Sequence, residues 1–505
     1  MKNLWQQETI RIVAALALTL ALAGFAMPAQ AQTYTPLSSF QGLVYGDYYP
    51  SGPLVLGQDG NLYGTTSGYG PASDIYSMTT AGAETPLWQP TGDYPGGACE
   101  WQYGSYNPPS MGMTLGADGL LYGTCQNWGG NAELSVIYQY DPSQNGFTVV
   151  YSFPIVNGVG YVQPSVLTLG TDGNLYGTAI PGSTGFTTGG IVFQFNPTTN
   201  KLTTLHTFLG SGSSDGAFPY GPLALGTNGD FYGTTTSGGI SGGSGGGTFY
   251  SITTKGKIKI LYSFNTFTDS TSGSYPAAVT LGNNGNFYGV TFEGGTFAQG
   301  TIFEITPAGK LTWLHNFNET TDNAGFPLFP LTLGSDGNLY SAATNNNGVQ
   351  SLFEIATKAK KGVYTYTDLY NFPTPGSANC NNGTPVGCLP TSTILQLPNG
   401  LFYGVTYEGG VENEGTFYSL NTGLKPFVIL QFPLGTEGTS LGIYGQGFVT
   451  GPATAVSFNG TAASFTVASD TYMTATIPTG ATKGYVTVSE PSATLKSNRI
   501  FTPKP

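Results

Sequence analysis

The chain has 505 residues, of which only 8% are charged, and its formal net charge at pH 7 is −12. An average globular domain has about 25% charged residues, so glycine-rich turns and neutral polar side chains must solvate this surface. With 15 Lys and Arg against 27 Asp and Glu, the chain lacks the basic surface of a protein that binds nucleic acid or anionic lipid, and we expect neither as a partner.

Residues 1–31 are typical of an export signal. Lys2 and Arg11 flank the start, an apolar run covers residues 12–27, and Ala29-Gln30-Ala31 offers a cleavage site. The alternative is a membrane anchor, but the run is shorter than the about 20 apolar residues of a spanning helix. We therefore expect an exported protein in the periplasm, at the cell surface or outside the cell, with no membrane insertion after signal removal.

One phrase, LALGTNGDFYGT at residues 223–234, has related copies throughout the chain, and seven occur between Leu54 and Val405. Its Asp-Gly or Asn-Gly pair favours a tight hairpin, because the central positions need positive φ. Around each copy, four short segments separated by Gly-rich or Asn-rich breaks indicate four antiparallel strands. A calcium loop is disfavoured because three of the seven copies carry Asn and no further carboxylates follow at alternate positions.

The tyrosine of this phrase returns every 52 to 63 residues. A four-stranded sheet repeated at this period is typical of a β-propeller, so we predict seven blades over residues 32–424. We assign the repeated tyrosines to packing within and between blades. They are Tyr63, Tyr122, Tyr176, Tyr232, Tyr288, Tyr340 and Tyr403.

A second signature, Leu-x-x-Phe, ends the fourth strand of most units. An additional copy, Leu37 to Phe40, follows the export signal, while the last unit loses recognisable repeat sequence near Gly423. We therefore predict that residues 33–40 form the outer strand of the seventh blade and join the two ends of the propeller.

Phrases such as GTIFEITPAGKLTWLHNF and LALGTNGDFYGTTTSGG make residues 33 to about 423 resemble the GloVer (Gloeo/Verruco) tandem-repeat family of exported bacterial proteins. The resemblance implies an envelope or extracellular location. It implies no activity that can be assigned to particular residues.

Residues 425–505 break the period and show short Thr-rich and Val-rich strands, which suits a small β-sandwich. The phrases GQGF at 445–448 and VSFNG at 456–460, with Ile477-Pro478, Ser497-Asn498 and Phe501, resemble the IPT/TIG immunoglobulin-like domain. Such domains serve as spacers, packing partners or binding modules. The predicted fold is therefore all-β, a seven-bladed propeller followed by an immunoglobulin-like sandwich.

The chain has four cysteines, an even number, and we expect it to be exported to an oxidising compartment. We therefore expect two disulfides. Cys380 and Cys388 share one short loop, and Cys99 and Cys125 fall on two neighbouring loops, so these two pairings are reasonable. No cysteine shows the paired spacing of a zinc site.

The sequence offers little material for catalysis. The only histidines, His206 and His315, occupy a strand position where other units have Tyr, so we predict no metal, no cofactor and no His-dependent active site. Carboxylate chemistry remains open. Glu293 and Glu408 occupy equivalent places after the second strand of two units, and a glycosidase needs two suitably placed carboxylates.

Long, variable connections follow the second and fourth strands, which in a four-stranded meander emerge on one face. The richest loops place aromatic residues beside acids, an arrangement that suits stacking of sugar rings or of a partner's side chains. The alternative is that these rings only cover an enlarged blade junction. The candidate ligand-binding residues are Asp93, Glu100, Trp101, Tyr103, Tyr106 and Trp128.

From these features we expect a monomeric, non-enzymatic binding or scaffolding protein that recognises a glycan or an envelope or extracellular protein. The alternative is a carbohydrate-active enzyme, a glycoside hydrolase or lyase, that uses acidic residues on the loop-rich face.

Overall fold

The computed structural model describes residues 32–40, 49–67, 75–88, 112–125, 135–154, 162–181, 189–239, 246–265, 272–345, 348–359, 363–377, 380 and 385–504. Strands dominate this part of the chain, which confirms the predicted all-β class. The helix α1 (Glu319–Asp322) has a single turn. None of the helices in the described ranges is long and apolar enough to cross a membrane. The predicted export signal, residues 1–31, lies outside those ranges.

Within the described residues, 33–421 form seven antiparallel sheets in chain order. Sheet 1 contains β2 (Tyr49–Leu56), β3 (Leu62–Ser67), β4 (Ile75–Met78) and β5 (Glu84–Trp88). Sheet 2 contains β6 (Met113–Leu115), β7 (Leu121–Cys125), β8 (Val136–Asp141) and β9 (Gly146–Ser152). Sheet 3 contains β10 (Val162–Pro164), β11 (Thr168–Leu169), β12 (Leu175–Pro181), β13 (Ile191–Asn196) and β14 (Lys201–Thr207).

Sheets 4 to 6 repeat this arrangement. Sheet 4 contains β15 (Ala224–Leu225), β16 (Phe231–Thr235), β17 (Thr248–Ile252) and β18 (Ile258–Ser263). Sheet 5 contains β19 (Gly273–Pro276), β20 (Thr280–Leu281), β21 (Phe287–Gly294), β22 (Thr301–Ile305) and β23 (Leu311–Asn316). Sheet 6 contains β24 (Thr332–Leu333), β25 (Leu339–Thr344), β26 (Gln350–Ile355) and β27 (Tyr366–Asn371).

Sheet 7 combines the two ends of this region. It contains β28 (Gly387–Pro390), β29 (Leu395–Gln396), β30 (Phe402–Gly409), β31 (Thr416–Asn421) and the N-terminal β1 (Thr33–Ser39). β1 pairs antiparallel with β31, from Thr33 opposite Asn421 to Ser39 opposite Thr416. The first strand of the chain is thus the outer strand of the last sheet.

Apolar clusters lie between consecutive sheets, as in the packing of Tyr122 from sheet 2 with Phe193 from sheet 3. The same kind of cluster joins the last sheet to the first, where Tyr403 and Phe417 pack with Leu62 and Tyr76. Threonine hydroxyls also donate to backbone carbonyls at the first strand of the next sheet, so the sheets converge on their first strands. These bonds run from Thr114 to Leu167, Thr168 to Leu223, Thr280 to Leu331 and Thr332 to Ile394.

The repeated phrase builds the turn between the first and second strands. In sheet 3 the Asp172 carboxylate accepts the backbone N–H of Asn174 and the Tyr176 hydroxyl, the latter at 2.7 Å. We call the bond between this turn residue and the tyrosine four positions later the turn clamp. It recurs in all seven sheets, with Asp59, Asp118, Asp172 and Asp336 accepting from tyrosine and Asn228, Asn284 and Asn399 donating to it.

Each sheet has two unlike ends. The turns between strands one and two and between strands three and four lie at one end, which we call the tight-turn end. The connections after strands two and four lie at the other, the loop-rich end.

Residues 427–504 form two further sheets around a shared apolar cluster that includes Ile443, Phe458, Met473 and Phe501. One contains β32 (Ile429–Leu430), β34 (Ser440–Tyr444), β37 (Phe465–Val467) and β38 (Tyr472–Thr476). The other contains β33 (Leu434–Thr436), β35 (Ala455–Phe458), β36 (Thr461–Ala463), β39 (Gly484–Ser489) and β40 (Thr494–Lys504). We call these two sheets the C-terminal module.

The C-terminal module lies against the tight-turn end. The Asn283 side chain, in a clamp turn of sheet 5, donates to the Asn498 carbonyl and accepts from the Ile500 N–H. Thr471 donates to the Gln58 carbonyl in sheet 1, and Phe432 packs against both the module cluster and the cluster of sheets 2 and 3. These contacts reach several separate sheets, so the module holds this end in place.

The clamp depends on a glycine that has no room for a side chain. A Cβ on Gly170 would lie 2.6 Å from both Asp172 Oδ1 and Tyr176 Cε2. We predict that Gly170→Ala lowers the free energy of unfolding by about 1 to 3 kcal/mol, because the ring or the carboxylate must move. Gly212→Ala is the control, since a Cβ there meets nothing within 4 Å. Urea denaturation of the two variants measures the difference, and equal stabilities would contradict the clamp's role.

Candidate functional site

All six residues of the predicted aromatic patch lie outside the described residues. They are Asp93, Glu100, Trp101, Tyr103, Tyr106 and Trp128. Cys125 at the end of β7 is disulfide-bonded, while Cys99 also lies outside the described residues. The patch therefore stays a prediction.

The two candidate acids are on sheets 5 and 7. Glu293 lies opposite Ser274 near the end of β21, and Glu408 lies opposite Cys388 near the end of β30. Glu408 is half-buried, and burial raises the pKa of its carboxyl above the ordinary value. Its Oε2 lies 3.9 Å from Sγ of Cys380, which forms a disulfide with Cys388. Both acids are at the loop-rich end, but they belong to sheets separated by sheet 6.

A set of residues that the sequence analysis missed lies where the first strands begin, at the loop-rich end. At the start of the first strand, four sheets have a large apolar residue with positive φ directly before a proline. They are Phe218 (φ 59°), Tyr275 (φ 55°), Phe326 (φ 45°) and Leu389 (φ 57°). Positive φ is rare for bulky residues, and the following proline further disfavours helical backbone angles. Each of these pre-proline residues is half-exposed between buried neighbours.

Bonds to the preceding sheet hold this backbone. Phe218 N–H donates to the Gly189 carbonyl at 2.6 Å, and Phe326 N–H donates to the Gln299 carbonyl at 2.7 Å. Tyr275 N–H makes the equivalent bond to Gly246. The sheet-to-sheet contact thus fixes the unusual conformation, in which the large residue is half-exposed.

Sheet 1 has Tyr49 and Pro50 at the same place. Tyr49 stacks on Tyr407 of sheet 7, with ring centroids 4.2 Å apart. Because the first strands converge, the pre-proline residues of successive sheets surround one region at the loop-rich end.

Further apolar groups are exposed at the same end. Among the described residues, eight large apolar side chains are exposed, and five of them belong to connections after second or fourth strands. These five are Leu209 (73% exposed), Tyr220 (47%), Phe297 (51%), Leu328 (40%) and Val411 (56%). The others are Val149, Val363 and Val449. The candidate site is therefore an apolar and aromatic surface at the loop-rich end, which we call the loop-rich face.

The histidines are also paired in a way that the sequence analysis missed. His315 Nε2 donates to Asp322 Oδ2 at 2.7 Å, and the His315 ring stacks on Tyr366. His206 Nε2 lies 3.2 Å from Asp215 Oδ2. The Ser213 hydroxyl donates to Asp215 and not to His206, so these three residues do not form a nucleophilic triad. Each histidine–aspartate pair links a fourth strand to the connection that follows this strand.

No metal-binding group emerges from the described ranges, where no three His, Cys, Asp or Glu side chains are arranged to hold an ion. The loop-rich end places acids beside apolar side chains, as where exposed Val411 precedes exposed Glu412. Such an arrangement suits contact with a partner's surface.

The fold and this face define a tandem-repeat, all-β protein that displays variable loops at one end. A sequence profile described as the Gloeobacter/Verrucomicrobia repeat matches residues 101–269, 163–386 and 240–464. The chain belongs to this repeat family, as its phrases predict. The last match extends past residue 423 into the C-terminal module.

Solved structures resemble the chain only distantly. TolB from Acinetobacter baumannii is 16% identical, with a TM-score of 0.35 over 70% of this chain and 67% of its own. A luciferin-regenerating enzyme is 13% identical, with a TM-score of 0.37, and the match covers 76% of this chain and 94% of the enzyme's chain. An oligogalacturonate lyase in complex with manganese is 12% identical, with a TM-score of 0.45, and the match covers 77% of this chain and 96% of the lyase chain. No curated protein sequence matched the chain.

Backbone strain at the pre-proline residues can be measured with a matched pair of variants. Tyr275→Ala and Tyr275→Gly remove the same ring, but only glycine adopts positive φ without cost. We predict that the glycine variant is the more stable by about 1 kcal/mol. Thermal and urea unfolding of both proteins measure this difference. Equal stabilities would mean that the backbone at this position is unstrained.

The Asp322 pair predicts a pH dependence. Burial raises the pKa of this carboxyl, but bonds from His315, the Asn318 N–H and Thr321 outweigh it, so the pKa is lowered. A lowered folded-state pKa stabilises the fold above the unfolded-state pKa of about 3.9, and this contribution is lost as the pH falls through the folded-state value.

We therefore predict that Asp322→Asn costs about 1 to 2 kcal/mol near neutral pH and progressively less below about pH 4. Unfolding curves recorded across that range measure the change. A stability difference that stays constant down to pH 2.5, well below the ordinary range of the carboxyl, would show that the charge of Asp322 has no role.

Proposed function

We propose that this protein is an exported, non-enzymatic binding or scaffolding protein of the cell envelope or extracellular space. It recognises a glycan or protein partner through the loop-rich face of a seven-bladed β-propeller. The supporting fold observations are the apolar clusters that join each sheet to the next, including sheet 7 to sheet 1, and the pairing of β1 with β31. In this proposal residues 32–424 are the propeller and residues 425–505 an IPT/TIG domain.

The observation that carries the binding function is the concentration of exposed apolar groups at one end. Isolated exposed apolar residues are ordinary, but a surface that combines several of them with polar groups is typical of interaction sites. Tyr220 and Leu328 each follow a pre-proline residue and its proline, so they extend the same surface outward from the first strands.

The position of the C-terminal module supports the same assignment. Through Phe432, Asn283 and Thr471 it contacts sheets at the tight-turn end, and part of that end is therefore covered. The described residues of the loop-rich end lie away from this contact, so in this proposal that end is the face that a partner approaches. The module then acts as a packing partner of the propeller.

Export is supported by the disulfide between Cys380 and Cys388, because structural disulfides persist in oxidising compartments. The segment 1–31 supplies the signal in this proposal.

A carbohydrate-active enzyme is the second candidate, and Glu408 is the observation that favours it. A carboxyl whose pKa is raised by burial suits a general acid. Hydrolysis of a glycosidic bond also needs a second carboxylate within roughly 5 to 10 Å, and Glu293 belongs to a sheet that is not adjacent. We therefore rank binding above catalysis. Loss of a glycan-cleaving activity in Glu408→Gln would reverse this order.

The proposed function predicts that exposed apolar residues of the loop-rich face carry binding. The mature chain, from residue 32, is screened on glycan and peptide arrays, and its ligands are measured again with Tyr220→Ser and Leu328→Ser. We expect at least about tenfold weaker binding for the double variant, because central apolar contacts dominate interface energies. Val363→Ser is the control, since Val363 is 67% exposed but lies at the tight-turn end.

Two results separate the alternatives. Equal losses in the double variant and the control would contradict a site on the loop-rich face. If instead Trp101→Ala and Trp128→Ala abolish binding while the double variant retains it, the predicted aromatic patch is the site.

A further inference from the structure

In the described part of the repeat region, the lysine side chains are confined to one end. Residues 32–424 contain no arginine and eight lysines, and every lysine falls between a third and a fourth strand or within the first two residues of a fourth strand. The six lysines among the described residues therefore belong to the tight-turn end, while Lys360 and Lys361 lie outside the described residues. The lysines are Lys201, Lys255, Lys257, Lys259, Lys310, Lys358, Lys360 and Lys361.

The loop-rich end differs from the tight-turn end, where lysines and acids occur together. In the described connections after second and fourth strands there is no lysine and no arginine. The same stretches, with the ends of the second strands, contain seven acids. They are Asp215, Glu293, Glu319, Asp322, Glu408, Glu412 and Glu414.

These acids stand beside the apolar groups of the loop-rich face. Exposed Val411 precedes exposed Glu412, and exposed Phe297 lies in the connection that follows Glu293 at the end of β21. Two of the seven acids, Asp215 and Asp322, are paired with His206 and His315. No lysine or arginine side chain of this end offsets the carboxylates of Glu293 and Glu412. A surface of one sign attracts partners of the other and repels those of its own sign.

We propose that the loop-rich face docks a basic protein partner, through a segment that presents Lys or Arg side chains among apolar ones. This proposal rests on the proposed binding function and names the partner's chemistry. The apolar side chains of the segment contact residues such as Tyr220 and Leu328, and its cations approach Glu293 and Glu412. Acidic polysaccharides and anionic lipid surfaces are disfavoured because they carry the same sign as this face.

The experiment uses the mature chain and two synthetic peptides. One peptide intersperses Lys and Arg with Leu and Phe, and the other replaces each Lys and Arg by Glu. We expect the basic peptide to bind, the acidic one not to bind, and added salt to weaken the binding. The double variant Glu293→Gln with Glu412→Gln should bind the basic peptide about five- to tenfold more weakly, as expected for two charge pairs at the protein surface.

The matched control is Glu437→Gln with Glu490→Gln in the C-terminal module, which changes the net charge equally at the other end of the molecule. Binding that is unchanged in this control supports the proposal. Equal weakening in both double variants would overturn it, because net charge alone would then explain the attraction. Binding of the acidic peptide would overturn it as well.

The outcome also separates this proposal from the proposed function. If the peptides fail but a neutral oligosaccharide binds and is lost in Tyr220→Ser with Leu328→Ser, the loop-rich face is a binding site and the basic-partner proposal is wrong. If the basic peptide binds equally to that apolar double variant, charge and not the apolar surface carries the contact. That result would contradict the apolar site of the proposed function.

Discussion

The turn clamp is the interaction on which the rest of the structure depends. One Asp or Asn side chain closes the hairpin and binds the hydroxyl of a tyrosine whose ring lies in the sheet, as Asp118 does for Tyr122 at 2.6 Å. Burial and the neighbouring carboxylate raise the pKa of Tyr122, so the hydroxyl stays protonated and remains a donor. Because the same bond recurs in every sheet, each unit acquires the same orientation of its first two strands. The sheets can then converge and pack in sequence.

The clamp is confined to the tight-turn end, and this explains why the two ends of each sheet differ. The clamp needs short turns, and the C-terminal module contacts those turns through Asn283 and Thr471, so the tight-turn end is constrained by packing. The connections at the other end are not required to close a hairpin and vary in length and composition. Exposed apolar groups and acidic residues can accumulate there without disturbing the sheets. The described lysines of the repeat region likewise lie at the tight turns, while the described loops of the other end contain acids but no lysine or arginine.

The sequence predicts local features well because they repeat. The Asp-Gly and Asn-Gly turns, the four-strand units and the strand that contains Leu37 each leave a signature of a few residues, and β1 indeed lies beside β31. The pre-proline residues were missed because positive φ at Phe326 depends on a bond to Gln299 of another sheet, which no local pattern reveals. An x-Pro pair a few residues before the phrase was the available signal. The position of the C-terminal module against the tight-turn end was missed for the same reason, since Thr471 and Gln58 are distant in the chain. The His–Asp pairs could have been found from the Asp that follows each histidine by seven or nine residues.

The pre-proline residues bear most directly on function. If the sheet-to-sheet contact alone determined this position, glycine would serve better, because it adopts positive φ without strain and preserves the backbone bond. Four sheets instead carry Phe218, Tyr275, Phe326 and Leu389, each with its side chain half-exposed. Strain of this kind persists where the surrounding structure imposes it, and it concentrates at functional sites. A fold that keeps large apolar side chains half-exposed against their backbone preference, at the end that also carries Glu293 and Glu412, is suited to the proposed binding of a partner of complementary charge.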